Sequence, residues 1–323
     1  MKYVHSVLIL SCLVAVPLAA QGADPERPER LVFAWPDGAE AEVTYSVNGW
    51  RRNGGNTTSV RRTMKYRMIV RAHGALDEGE LEVERVWPGR SDKGTSETSK
   101  DSLFGKLRKP WTSGVQTLID DLPELVPRLR VTADGRLASI GGMDEIEQRR
   151  DRALDEAQAD AATRRQVNAL VSEESLYLMS VQSWAALVTI WHGRHLGDDF
   201  PFGDRSGADV PSEPLRVEVP GNGRFDGWVP CTDDETAQRC VKLHWSAAPQ
   251  GEDAEEAVEA LEGQSLDDLE LTREITVVVE PTTLLPHSTV DVLKAKRTVR
   301  RGSETMESSE EMTRTRRFSW TVP

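Results

Sequence analysis

Two sets of alternating apolar and polar segments, one at each end of the chain, enclose a proline-free stretch of helical composition. This β–α–β order constrains the fold more than any other feature. In Glu40–Val47 the residues Ala41, Val43, Tyr45 and Val47 fall on one side. In Thr57–Val70 the same holds for Met64, Tyr66, Met68 and Val70, with Lys65 and Arg67 opposite. A period of two belongs to a strand with one face buried. Asn48-Gly49 through Asn53-Gly54-Gly55-Asn56 is rich in residues that tolerate positive φ and reads as the turn between them. Leu81–Trp87 is a third strand, and Asp134-Gly135 marks a hairpin between Leu129–Val131 and Arg136–Ile140.

The second set comprises Arg216–Val219, Phe225–Val229, Cys240–Trp245, Glu274–Val279, Thr289–Arg300 and Thr313–Val322. Val241, Leu243 and Trp245 share a face, as do Ile275, Val277 and Val279, and as do Phe318 and Trp320. Glu252–Glu270 reads as a short acidic surface helix on a long loop, with Ala254, Val258 and Leu261 at helical spacing. It lacks the alternation and the central glycine of a calcium loop.

Between the two sets, Met143 to about Gly197 is rich in Ala, Glu, Arg, Gln and Leu. Asp144 is placed to cap a helix running to about Leu170, and Ser172-Glu173-Glu174 starts a second. Trp184 and Trp191 lie two turns apart on one face of that second helix, which docks on the sheet or forms an adhesive lid. Gly193 or Gly197 ends it. No linker divides the chain. The expected fold is therefore α+β and mainly antiparallel: a strongly curved sheet or half-barrel with a central helical insertion, at about 144–196, packed on its concave face. Residues 23–323 are expected to form one β-rich domain.

The first residues read as a secretory signal peptide, 1–22. Lys2 is followed by an apolar run from Val7 to Ala20 and by small residues at Ala20 and Gly22. The expectation is an exported protein, periplasmic or extracellular. Cys12 leaves with this segment; as a lipidation site it would follow Ile9-Leu10-Ser11, a poor lipobox. Cys231 and Cys240 remain, an even pair in an oxidising compartment, so a disulfide is expected. Closing so short a loop contributes about 2–3 kcal/mol. A two-thiolate metal site is the rival reading, and it lacks further ligands at recognised spacing.

The formal charge of −13 repels phosphate backbones and anionic lipid headgroups unless a local basic patch overrides it, which argues against nucleic acid as a partner. The basic clusters Arg61-Arg62, Arg300-Arg301 and Arg314–Arg317 alternate with polar residues and read as solvated sheet faces. The sequence contains no nucleophile elbow, zinc-protease helix or phosphate-binding glycine loop. His192-Gly-Arg-His195 with Asp198 and Asp199 is the one metal-like cluster, and a histidine pair at a helix C-terminus reads as structural. No catalytic, cofactor-binding or metal residue is assigned, and no cofactor is expected.

The stretch Val131-Thr-Ala-Asp-Gly-Arg-Leu-Ala-Ser-Ile-Gly-Gly-Met-Asp-Glu-Ile146 joins a hairpin to a helix through a glycine–acid pair. It resembles a family of secreted bacterial proteins of unknown function, in which a DG…GxDE hairpin precedes helices and a GxxW/F strand follows them; here Gly197-Asp-Asp-Phe200 takes that place. The closing strands after Thr282-Thr-Leu-Leu-Pro286 are similar too. A wider fold analogy runs to half-barrel periplasmic lipoprotein carriers of the LolA type, whose curved sheet and helices enclose acyl chains. No binding residue transfers by motif from this analogy; the residues themselves give as a first reading a non-enzymatic envelope protein that takes a lipid or apolar ligand between sheet and helices, lined by the inward positions Met64, Tyr66 and Met68 and by the opposite face of Trp184 and Trp191. The alternative is a structural or interaction module with a filled core and an envelope protein as partner. Oligomeric state is not legible in the sequence.

Overall fold

The computed structural model describes residues 30–53, 56–73, 80–87, 122–196, 200–202, 221–234, 236–237, 239–247, 266–301 and 304–323. The signal segment 1–22, the strand expected at 216–219, most of the acidic stretch from 252, and Asp198 and Asp199 lie outside these residues.

Strands β1 (Glu40–Asn53), β2 (Asn56–His73), β3 (Glu80–Val86), β4 (Arg128–Val131) and β5 (Leu137–Gly141) come first. Strands β6 (Phe200–Phe202), β7 (Gly221–Val229), β8 (Cys240–Ala247), β9 (Leu266–Val279), β10 (Pro286–Arg301) and β11 (Glu304–Thr321) come last. All pair antiparallel in one open sheet of order β5-β4-β3-β2-β1-β11-β10-β9-β8-β7-β6. The first set steps outward from β1 and the second steps back inward to β11. The two meet where β1 pairs with β11 along its whole length. The chain therefore leaves the sheet at one edge, β5, and re-enters at the other, β6. The longer helices lie in that connection, and one short helical turn precedes β4.

The expected faces hold. Ala41, Val43, Tyr45 and Val47 are buried, with Tyr66, Met68 and Val70 of β2, Val241, Leu243 and Trp245 of β8, and Ile275, Val277 and Val279 of β9. Glu40 and Glu42 on the opposite side of β1 are exposed, so the sheet has one covered and one wet face. Two expectations near the hairpins change. Asn48–Asn53 is strand rather than turn, and Gly49 serves a close approach: a Cβ there would meet the Glu311 carbonyl oxygen at 2.5 Å. Residues 266–270, expected in a surface helix, open β9, where Glu270 pairs with Lys296. The long neighbouring strand β10 supplies a ladder that outweighs local helix propensity.

A single turn, α1 (Leu122–Leu125), precedes β4, and the segment after β5 contains α2 (Met143–Glu156), α3 (Ala161–Leu170) and α4 (Glu173–Trp184), which continues as a π-helical turn over Ala185–Thr189. The sequence predicts one helix from Asp144 to Leu170; the structure has two. Gln158 adopts a left-handed φ of 49°, and the Asp160 carboxylate then caps a new helix by accepting from the Thr163 N–H at 2.8 Å. Asp144 sits inside the first turn of α2, while left-handed Gly142 occupies the cap position. Ser172 caps α4 as expected, its Oγ accepting from the Ser175 N–H. Ile146, Leu154, Val167, Leu176, Trp184, Leu187, Val188 and Trp191 join the strand residues in one hydrophobic core.

The segment Leu31–Trp35 threads this core. Its N–H groups bond to the carbonyls of Arg194, Pro281 and Thr283, and Leu31, Phe33 and Trp35 are buried. His192 and His195 fasten it: the Phe33 N–H donates to His192 Nδ1 at 2.9 Å, and Arg30 Nε donates to His195 Nε2 at 2.8 Å.

Candidate functional site: a buried polar centre on the covered face

Apolar side chains do not fill the covered face throughout. Strand register sets Met64, Tyr45, Arg316, Thr289, Val277 and Leu243 side by side across β2, β1, β11, β10, β9 and β8. The next row is Arg62, Val47, Arg314, Asp291, Ile275 and Trp245. Polar groups thus enter the face at the middle strands.

Glu124 of α1 is fully buried there. One of its oxygens accepts from Arg316 through Nε at 2.7 Å and through Nη2, and the other accepts from the Tyr66 hydroxyl at 2.6 Å. Burial alone raises the Glu124 pKa. The charges of Arg316 and Arg85 and the bonds from Arg316 and Tyr66 outweigh it and hold the carboxyl at about 2. Arg316 also lies 5.3 Å from the centre of the Tyr45 ring, and its Nη2 is 3.4 Å from Ser183 Oγ on α4. Burial, reinforced by the Glu124 charge, drives both phenols upward, Tyr66 far above its ordinary value. The centre therefore presents a fixed carboxylate–guanidinium pair and two neutral phenols.

One row along, buried Asp291 receives a two-pronged contact from Arg273, at 3.0 and 2.8 Å, and Arg314 approaches within 3.8 Å. Burial again opposes ionisation, and Arg273, Arg314 and Arg316 overcome it, so the Asp291 carboxyl lies below its ordinary range. Around these pairs, the Tyr45 hydroxyl, Thr289 Oγ1, Ser180 Oγ and Arg314 Nε are buried with no hydrogen-bond partner among the described residues. Ser180 is one turn before Ser183 on α4, and Tyr45 and Thr289 flank Arg316 on either side in the ladder. Buried polar atoms are normally satisfied, so a group of them around one guanidinium points to a site for another polar group. Arg316 and Arg314 stand beside the Tyr45 and Thr289 hydroxyls in the ladder, a set of donors that suits an anion.

Of the residues singled out from sequence, Tyr66 and Met68 are buried and Met64 is half-buried. Tyr66 packs on Trp87 with ring centres 4.6 Å apart. Trp184 and Trp191 are buried too. The Trp184 indole N–H donates to the Gly135 carbonyl at 2.8 Å and its ring stands 5.1 Å from Trp35; the Trp191 N–H donates to Ala186. Cys231 and Cys240 form a disulfide. This bond is compatible with export, and no helix among the described residues is long and apolar enough to cross a membrane.

The sequence reading missed Glu124, which sits in a short element with no periodic pattern. Arg314–Arg317, expected as a solvated face, is divided: Arg316 is buried and Arg317 exposed. The signal was present, since a period of two places Arg316 on the side of Phe318 and Trp320. Compared with known proteins, the chain matches no family model and no curated protein sequence.

Proposed function

We propose that this is an exported, non-enzymatic binding protein that takes an amphipathic anion, a lipid or fatty-acyl compound, between the covered face of the sheet and the helices. In this reading the sheet curves strongly around a central helical insertion, in the manner of the half-barrel lipoprotein carriers, and the protein works in the periplasm or outside the cell. The observation that carries the reading is the group of partnerless buried polar atoms around Arg316. In this reading the anionic head would sit among Arg314, Tyr45 and Thr289, and the hydrocarbon chain would displace core packing along Met64, Tyr66, Met68 and the Trp184–Trp191 face. Native mass spectrometry of protein purified from its own envelope tests it, followed by thermal shift of stripped protein with a panel of fatty acids and phospholipids. A retained ligand mass and a raised Tm support the reading; a bare mass with no shift for any lipid contradicts it.

A second reading, an envelope interaction module with a filled core, is favoured by Trp184 and Trp191, whose rings and N–H groups are engaged within the chain. It gives a bare mass and a specific envelope protein recovered by cross-linking in cells.

A further inference from the structure

The disulfide has a third neighbour. Cys231 follows β7, Cys240 opens β8, and His287 lies near the start of β10. β9 pairs with both β8 and β10, and Val279 is opposite Val241 on one side and Pro286 on the other. This pairing carries His287 to the cysteines across a long sequence separation. The two sulfurs and a ring nitrogen of His287 lie within 4.8 Å of one another. His287 Nε2 is engaged with Glu280 Oε1 at 3.1 Å, while Nδ1 is buried with no hydrogen-bond partner among the described residues. With the proton on Nε2, donated to Glu280, Nδ1 offers a bare lone pair. A carboxylate that fixes the tautomer in this way is the usual support of a metal-binding histidine. Glu280 is itself held, its second oxygen accepting from Thr283 Oγ1 at 3.1 Å.

We infer that, once the disulfide is reduced, Cys231, Cys240 and His287 form a binding site for one Zn²⁺, with two thiolates, one imidazole and a fourth position on the side of the neighbouring pocket. That pocket, about 380 Å³, is lined by Cys231, Thr232, Asp233, Val278 and Ser288 among others. Cys231 is half-buried on its wall and Cys240 is fully buried, so Cys231 is the sulfur open to attack. A dithiol reductant supplies the two electrons and two protons. Its thiolate attacks Cys231 Sγ, Cys240 departs as thiolate, and the second thiol of the reductant resolves the mixed disulfide. The products are two protein thiols and the oxidised reductant. Zn²⁺ then displaces both thiol protons, and the thiolates offset its charge. The site is independent of the lipid reading.

The test is a Zn²⁺ titration of the full chain against a chromophoric chelator, before and after phosphine reduction. The expected result is one equivalent bound after reduction and none before. H287A and E280Q, which retain the disulfide for a check of the fold in the oxidised state, should each bind at least tenfold more weakly when reduced. Co²⁺ should give thiolate charge-transfer absorption that C231S/C240S lacks. If reduction loosens the fold, Zn²⁺ should raise the Tm of the reduced protein. Equal binding by oxidised protein, undiminished binding by H287A, or no binding and no Tm rise after reduction would overturn the inference.

Discussion

Replacing Glu124 with Gln is the sharpest test of the buried centre. The change keeps volume and removes one charge from a site with no solvent access. Arg316, itself buried, then loses its carboxylate partner and keeps the Tyr45 ring, Ser183 and the more distant charge of Asp291. Breaking one side of a buried pair costs about 3–5 kcal/mol. The titration of Glu124 gives a second figure. Its carboxyl falls from 4.5 to about 2 in the folded protein. That difference corresponds to about 3 kcal/mol of stability. The sign follows from the direction: the folded pKa lies below the unfolded one, so this stability is fully present above about pH 4.5 and is lost as pH falls toward 2. E124Q should lower Tm at pH 7 by roughly 6–10 °C for a chain of this size. Its acid limb between pH 4.5 and 2 should also be shallower than that of the parent. The double replacement E124L/R316M should recover most of the loss, because no lone charge remains. Calorimetry and urea melts across pH read all three. A Tm change under 1 °C for E124Q, or an unchanged acid limb, would refute the reasoning.

Three further outcomes follow from the same geometry. Gly135 has a φ of 76°, and a Cβ there would meet Phe33 Cγ and Val188 Cγ1 at 2.9 Å, so G135A should cost about 2–4 kcal/mol in urea unfolding. C231S/C240S in metal-free buffer should lower stability by about 2–3 kcal/mol and leave the far-ultraviolet spectrum unchanged, since the β7–β8 ladder does not depend on the bond. Asp291 also has a depressed folded pKa, set against burial by Arg273 and Arg314. D291N should therefore destabilise most above the ordinary aspartate pKa of about 3.9 and progressively less as pH falls below it, in a pH series of thermal melts.

The covered faces of β1, β2, β8 and β9 were legible because period-two burial is a local property of sequence: Ala41-x-Val43-x-Tyr45-x-Val47 needs no tertiary knowledge to be placed. The break between α2 and α3 was harder, because Ala157–Asp160 carries no glycine or proline and the helix ends at a left-handed glutamine. Gly49 looked like a turn residue, yet its role is set by β11, distant in sequence. The polar centre depends on similar non-local facts. Arg316 could be assigned inward by alternation, but its partner Glu124 comes from an isolated turn nearly two hundred residues earlier. His287 likewise reaches Cys231 and Cys240 through the β8-β9-β10 pairing, which no spacing rule encodes.

The most direct test of the ligand reading is a high-resolution crystal structure of protein taken from its native envelope without refolding. The account expects elongated density between the sheet and α4, with its polar end within hydrogen-bond distance of Arg314 Nε, the Tyr45 hydroxyl or Thr289 Oγ1. Side chains packed solidly against α4, with those atoms bonded only to protein or to isolated waters, would contradict it.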